Sequence, residues 1–285
     1  MGFLDRIREC NAHDPSRFRP LMVGRSRVGW VRADMAATLA VHADVFHVAA
    51  DAVALAPALD DFESRSAAVA RALGALKADG KVSGWRGELY PVKTSYAAAP
   101  LFQMERAAVP RLGVRAYGVH MNGYVRTPGG LKMWVARRSR TKPTFPGMLD
   151  NMVAGGQPIG LSLFENLVKE CGEEAGIPPA LARRAVAVGA VSYVAEVAEG
   201  LKPDVQFCFD LELPADFAPK PVDGEIESFA LLPVAEVADV VARTREFKFN
   251  CNLVVIDFLV RHGVIAPEEP DYLAIVAGLR QGGPA

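Results

Sequence analysis

The chemistry of this chain concentrates in "LVKECGEEAGIP", Leu167 to Pro178, where Glu170, Glu173 and Glu174 share one helical turn. Like charges three and four residues apart repel, so three of them weaken the helix that carries them. The helix has clear limits. Ser162 followed by Glu165 predicts a reciprocal capping box, and Gly176 with Pro178 just beyond predicts its end. At about 100° per residue, Leu163, Phe164, Leu167, Val168 and Cys171 form one apolar arc. Glu174 falls inside the edge of that arc, Glu170 just outside it, and Glu173 further toward solvent. A carboxylate at the edge of a core needs a partner or a cation. Several oxygens on one rigid turn suit a hard divalent ion such as Mg²⁺, which takes carboxylates, waters and substrate phosphates. Immediately upstream, "AGGQPIGLS" supplies Gly155, Gly156 and Gly160, residues that let a backbone approach a ligand closely. No Gly-Lys-Ser/Thr follows, so this is not a P-loop.

The elements that position this turn come in two textures. Up to about residue 110 the chain reads as a short amphipathic helix, a strand at "RVGWVR", a small helix near "ADMAATLA" and an apolar run "VFHVAA". A longer helix follows in "DDFESRSAAVARALGALKADG", started by Asp60 and Asp61 and stopped by Gly80. "WRGELYPVK" and "AAPLFQMERAAVPRLG" read as short extended pieces. From about 115 strands dominate. "AYGVHMNGYVR" and "LKMWVARRS" flank the turn "TPGG" as a hairpin, and "VAVGAVSYVAEV" and "DVQFCFDLEL" are further β-rich runs. "ESFALLPVAEVADVVA" passes from strand into helix, and "NCNLVVIDFLVRHG" is an apolar helix ending at Gly263. The expected fold class is α/β, a mixed sheet with helices packed on it, divided into residues 1–114 and 115–285.

Composition narrows the partners. Lys and Arg number 32 against 33 Asp and Glu, so no global charge draws a nucleic-acid polymer or an anionic membrane, and an anionic ligand must be held by a local arrangement. The four cysteines, Cys10, Cys171, Cys208 and Cys251, show no CxxC pair, which reads as reduced thiols rather than a disulfide frame or a zinc site. "MGFLDRIREC" is charged early and is read as neither signal peptide nor membrane span. The expectation is a cytoplasmic protein with a small-molecule partner.

The diglycine bend, the capped helix and the run Lys169-Glu170-x-x-Glu173-Glu174-x-Gly176-Ile177 together resemble the Nudix box. Lys169 stands where the box has arginine, the loop counted from Gly156 is one residue short, and the box's first glutamate falls on Leu161. "YGVHMNGYV", "MWVARRSRTKPTFPGMLDNMVAGG", "DGEIESFALLPVAEV" and "FKFNCNLVVIDFLVRHG" resemble one Nudix subfamily. Its members carry an extra N-terminal domain related to the one accompanying eukaryotic thiamine pyrophosphokinases.

That resemblance implies a Nudix α/β/α sandwich behind a smaller N-terminal α/β domain that shapes the substrate cleft. It implies a Mg²⁺-dependent diphosphatase, with Mn²⁺ as the alternative ion, acting on thiamine diphosphate-like compounds, oxidised forms included, and releasing the monophosphate. The rival readings are a hydrolase of oxidised nucleotides such as 8-oxo-dGTP and a non-catalytic ligand-binding module. By the same resemblance Glu170 and Glu174 are the main metal ligands, Glu173 a further ligand or base, and the carbonyl at Gly155 or Gly156 an extra oxygen donor. A general base from a later loop points to "VDGEIES", with Glu225 favoured over Asp223 and Glu227. The diphosphate needs cations, for which "ARRSRTK" offers Arg138 and Lys142, with Gly156 beside them. Trp30, Trp85, Tyr117 and Trp134 are weighed as ring contacts against the simpler role of core residues. His120, Asn122 and Asp150 read first as satisfied core groups.

Overall fold

The computed structural model describes residues 2–282. The chain opens with α1 (Phe3–Cys10), β1 (Phe18–Val23), β2 (Ser26–Arg32), α2 (Ala33–Leu39), β3 (Phe46–Val48), β4 (Val53–Leu55) and α3 (Phe62–Ala78). The strands form one sheet in the order β2-β1-β4-β3. On α3 the apolar stripe Ala68, Val69, Ala72, Leu73 and Leu76 is buried in a core shared with Leu21, Val31 and Phe46. Asp61 caps that helix by accepting from the Ser64 backbone at 2.6 Å. Two strands, β5 (Leu89–Val92) and β6 (Phe102–Glu105), make a separate antiparallel ribbon. The expectation of extended chain through Ala98–Gly113 holds only for β6. A 3-10 turn at Arg106–Ala108 and α4 (Val109–Leu112) follow, with Pro110 in the first helical turn, where its missing N–H has no helical acceptor to lose.

The remainder is built on β7 (Tyr117–Thr127), β8 (Gly130–Arg138), β9 (Leu149–Asp150), β10 (Val153–Gly156), α5 (Leu163–Ala175), α6 (Pro179–Ala182) and β11 (Val186–Ser192). It continues through β12 (Ala195–Val197), β13 (Gly200–Lys202), β14 (Val205–Glu212), β15 (Ile226–Pro233), α7 (Val234–Arg243), α8 (Cys251–Arg261) and α9 (Tyr272–Gly278). The sheet order is β11-β14-β7-β8-β15, with β10 on β7 and β9 on β8. It is mixed, because β14 runs parallel to β7 while its other ladders are antiparallel. The hairpin predicted around "TPGG" is present, with Thr127 paired to Gly130.

Both sheet faces are covered. On one, α5 places Leu167, Cys171 and Ala175 against Val119, Met121 and Val153. On the other, α7 and α8 pack with Tyr124, Met133 and Val135. This is the expected α/β/α layering, and β7 shows it in its burial, since Tyr117 to Val125 are buried on both faces. One feature crosses the expected 114/115 division. Ile7 and Cys10 of α1 lie in the core of α7 and α8, and the buried Arg6 donates through Nε to Val241 O at 3.1 Å. In space α1 therefore belongs to the C-terminal layer. Among the described residues no helix is long and apolar enough to cross a membrane.

Candidate active site

Helix α5 faces strand β10 with a polar stripe. The capping box forms as predicted, Ser162 Oγ accepting from Glu165 N at 3.2 Å and Glu165 Oε2 from Ser162 N at 2.9 Å. The other end closes at Gly176, whose φ of 62° is the left-handed conformation glycine adopts without a Cβ clash. Between these ends Asn166, Glu170 and Glu174 recur every fourth residue, so they share one face. Asn166 Nδ2 donates to Gly156 O at 2.9 Å, and Glu174 Oε2 accepts from Ala154 N at 2.8 Å. Glu170 lies between them, and a Cβ on Gly155 would overlap its carboxylate. Gly155 thus has the small size its position demands: it leaves the room that the Glu170 head group fills.

The three glutamates differ as the helical arc predicted. Glu174 is 4% exposed, the Glu170 side chain 14% and that of Glu173 50%. Burial pushes the Glu174 carboxyl up to about 8, against the opposing Ala154 N–H bond and the charge of Lys142. Burial also raises Glu170, partly offset by Lys169. Lys169 Nζ reaches Glu173 at 2.5 Å and Glu170 at 3.4 Å, so this lysine bridges two carboxylates of the turn. A cation bound against Glu170 and Glu174 would favour their ionised forms.

The structure also brings Lys142 and Glu225 to this region. They form an ion pair in which the lysine side chain is 12% exposed. Burial raises Glu225, but the bond to Lys142 and the charges of Lys142, Arg86 and Arg106 outweigh it and leave the carboxyl below its usual range. Lys142 therefore connects the loop after β8 to the loop before β15, and its charge reaches Glu174.

Arg138 is placed differently from the expectation. It is 5% exposed and donates to Asp150 Oδ2 at 2.7 Å, Phe145 O at 3.0 Å and Thr144 O at 2.8 Å. These bonds fold the 139–148 loop onto β9 and leave the guanidinium no free edge for a phosphate; strand alternation does not show that this loop covers it. Gly156, expected at the substrate, has its carbonyl held by Asn166 and its Cα pressed against Tyr90, whose Oη a Cβ would overlap.

His120, Asn122 and Asp150 are core groups, as read. His120 Nδ1 meets Asn151 Oδ1 at 2.8 Å, and Asn151 Nδ2 donates to Asn122 Oδ1 at 3.2 Å. Burial lowers His120 to about 4, so it is neutral at pH 7. His120, Asp150 and Cys251 have donor atoms within 4.8 Å of one another, a juxtaposition the scattered cysteines did not reveal. It does not suit a metal. Cys251 Sγ already donates to Asp150 Oδ1 at 2.7 Å, and Arg138 and Lys248 neutralise the same carboxylate. The four cysteines are free and buried.

The acidic turn differs. Carboxylate oxygens of Glu170 and Glu174 lie along β10 beside a glycine that leaves room, and an all-oxygen donor set is what Mg²⁺ and Mn²⁺ take. Of the aromatic residues, Trp30 lines a cavity of about 230 Å³ with His13, Phe18, Arg27, Lys93 and Arg115. None of the glutamates lines it. Lys77 lies over the Trp85 ring, and Tyr117 meets Tyr96 edge to face.

Sequence reading missed the contribution of the N-terminal ribbon. Leu89 O accepts from Ile159 N at 3.0 Å, and Tyr90 packs on Gly156, so β5 lies along the diglycine bend. No local pattern marks such a contact. Asn166 was also missed, although a signal existed: with Glu170 and Glu174 it completes a four-residue polar period on a helix otherwise apolar on that side.

Comparisons with known proteins identify relatives of the chain. Residues 2–116 match the family described as "Domain of unknown function (DUF4743)". The chain is similar to "Nudix hydrolase 20, chloroplastic" of Arabidopsis thaliana, 47% identical over 98% of this chain and 78% of the relative. It is similar to "Nudix hydrolase 24, chloroplastic" of the same plant, 46% identical over 99% of this chain and 78% of that one. Among solved structures it is similar to the NUDIX domain of Shewanella oneidensis NrtR complexed with ADP ribose. That likeness covers 52% of this chain and 89% of the other, at TM-score 0.42 and 14% identity.

Proposed function

Because the chain belongs to the Nudix hydrolase family, enzymes acting on phosphoanhydride bonds, we propose that it is a Mg²⁺-dependent diphosphatase of thiamine diphosphate-like compounds. The observation that carries the metal-dependent diphosphatase reading is the pairing of Glu170 and Glu174 with β10, where Gly155 leaves room for a carboxylate. The thiamine-like substrate is supported by the resemblance of the long segments quoted above, and oxidised forms of the same compound belong to the proposal.

In this reading Glu170 and Glu174 hold the divalent ion, with Glu173 at the solvent edge and the Gly155 backbone beside them. When bound, such an ion neutralises phosphate charge and acidifies water. The protein's own groups do the rest. Water adds across one P–O–P bond, giving a monophosphate, inorganic phosphate and a proton that a carboxylate must take. Glu225 is the proposed acceptor, since its ion pair with Lys142 keeps it deprotonated and fixes its direction. Lys142 serves as its orienting partner rather than as a direct phosphate contact.

The test is a panel of diphosphates in Mg²⁺ and in Mn²⁺ with phosphate detection, containing thiamine diphosphate, its oxidised forms and 8-oxo-dGTP. Turnover of the thiamine compounds, abolished in Glu174→Gln, is the expected result. Preferential turnover of 8-oxo-dGTP would replace the substrate assignment. Ligand binding without turnover would reduce the chain to a binding module.

A further inference from the structure

The proposed diphosphate, on which this inference rests, approaches a turn already rich in carboxylates, so its negative charge must be met by cations. The nearby candidates are few. Arg138 is enclosed with Asp150, Lys142 is paired to Glu225, and Lys169 bridges Glu170 and Glu173. Two further arginines approach from the other domain. The β5–β6 ribbon, fixed to the diglycine bend through Leu89 and Tyr90, carries Arg86 just before its first strand and Arg106 just after its second.

Buried Glu105 holds both in place. Its Oε1 accepts from Arg86 N at 2.8 Å and from Ala107 N at 3.1 Å, while its Oε2 accepts from Gly87 N at 3.0 Å. One carboxylate therefore clamps the backbone on either side of the ribbon's open end. Arg106 packs its guanidinium 5.6 Å from the Tyr90 ring and pairs through Nη1 with Glu88 at 2.7 Å, leaving its side chain 46% exposed. The guanidinium of Arg86 makes no ion pair within 4.0 Å among the described residues. The charge of Arg106 interacts with Glu170 on α5 and with Glu225 before β15, where Arg86 also acts. Thus one N-terminal arginine is within electrostatic range of both the proposed metal ligand and the proposed base.

We propose that the N-terminal domain completes the active site by supplying Arg106, supported by Arg86, as the cations that hold the substrate's diphosphate. Arg106 offers a planar fork suited to paired phosphate oxygens, and Glu88 orients it until substrate competes for its free edge. This gives the domain a chemical role: its ribbon, seated on the diglycine bend, is a phosphate clamp beside the acidic turn.

The test is calorimetric titration of the full chain in Mg²⁺ with methylenediphosphonate, a diphosphate that cannot be hydrolysed. Loss of one charge-assisted contact weakens binding by about 10- to 100-fold, so Arg106→Ala should lose that much and Arg106→Lys less. Glu88→Gln removes a competing anion and should tighten binding, whereas a purely structural pair would make it behave like Arg106→Ala. Mn²⁺ binding, followed without diphosphate by electron spin resonance, should persist in both arginine variants. Unchanged diphosphate affinity in a folded Arg106→Ala protein, or equal losses in Arg106→Ala and Glu88→Gln, would overturn the proposal. Because the probe is not turned over, that failure is separate from failure of the diphosphatase reading, which Glu174→Gln and the substrate panel decide.

Discussion

Glu174 carries a prediction with an unusual sign. In the metal-free protein its folded value of about 8 lies above the ordinary 4.5, so the folded state keeps a proton that the unfolded chain loses. Stability from this group is fully present below about pH 4.5 and is lost as the pH rises toward 8. Each unit is worth about 1.4 kcal/mol, so the neutral Glu174→Gln variant should exceed the wild type by about 3 kcal/mol at pH 7. The difference should vanish near pH 4 and level off at about 5 kcal/mol above pH 8. Denaturant unfolding in chelator at several pH values measures it. Added Mg²⁺ should then stabilise the wild type, by about 2.7 kcal/mol at a hundredfold excess over Kd, and leave the variant unmoved. Calorimetry at pH 7 in buffers of different ionisation heat should show release of nearly one proton per ion bound, falling away above pH 8. A variant less stable than the wild type in chelator at every pH, or a wild type indifferent to Mg²⁺, would refute the reasoning.

Three further outcomes follow from neighbouring geometry. Gly155→Ala should displace the Glu170 carboxylate and lower turnover by at least about tenfold with little loss of fold, measured by activity beside thermal unfolding. Arg138→Ala should cost about 3–5 kcal/mol of stability by leaving buried Asp150 with Lys248 as its remaining ion-pair partner, an effect denaturation detects. Lys142→Ala should release Glu225 from the ion pair that lowers it and so move the acidic limb of the pH–rate profile to higher pH; an unmoved limb would remove Glu225 from the role of base.

Much of α5 was legible because its determinants are local. The capping box spans Ser162 to Glu165, Gly176 ends the helix, and the apolar arc ranks Glu174, Glu170 and Glu173 by depth. Each of these is set within α5 itself by spacings of one to four residues, the reach of one helical turn. The strands around "TPGG" and the passage from β15 into α7 were legible for the same reason. Arg138 was not, since alternation on β8 gives its face but not what lies on it. The loop it binds through Thr144 and Phe145 returns over the strand and encloses it.

By itself, then, the sequence determined an acidic helical turn, capped at both ends, with its carboxylates ranked by depth, and a resemblance to the family. Only the tertiary structure decided which cations meet that turn. Arg106 lies more than sixty residues before Glu170, α1 crosses into the C-terminal layer, and Tyr90 fits against Gly156 across two domains. Helical periodicity is set by backbone geometry and is written in neighbouring residues. Charge pairing between distant segments depends on how whole layers dock, and no short stretch of chain contains that information.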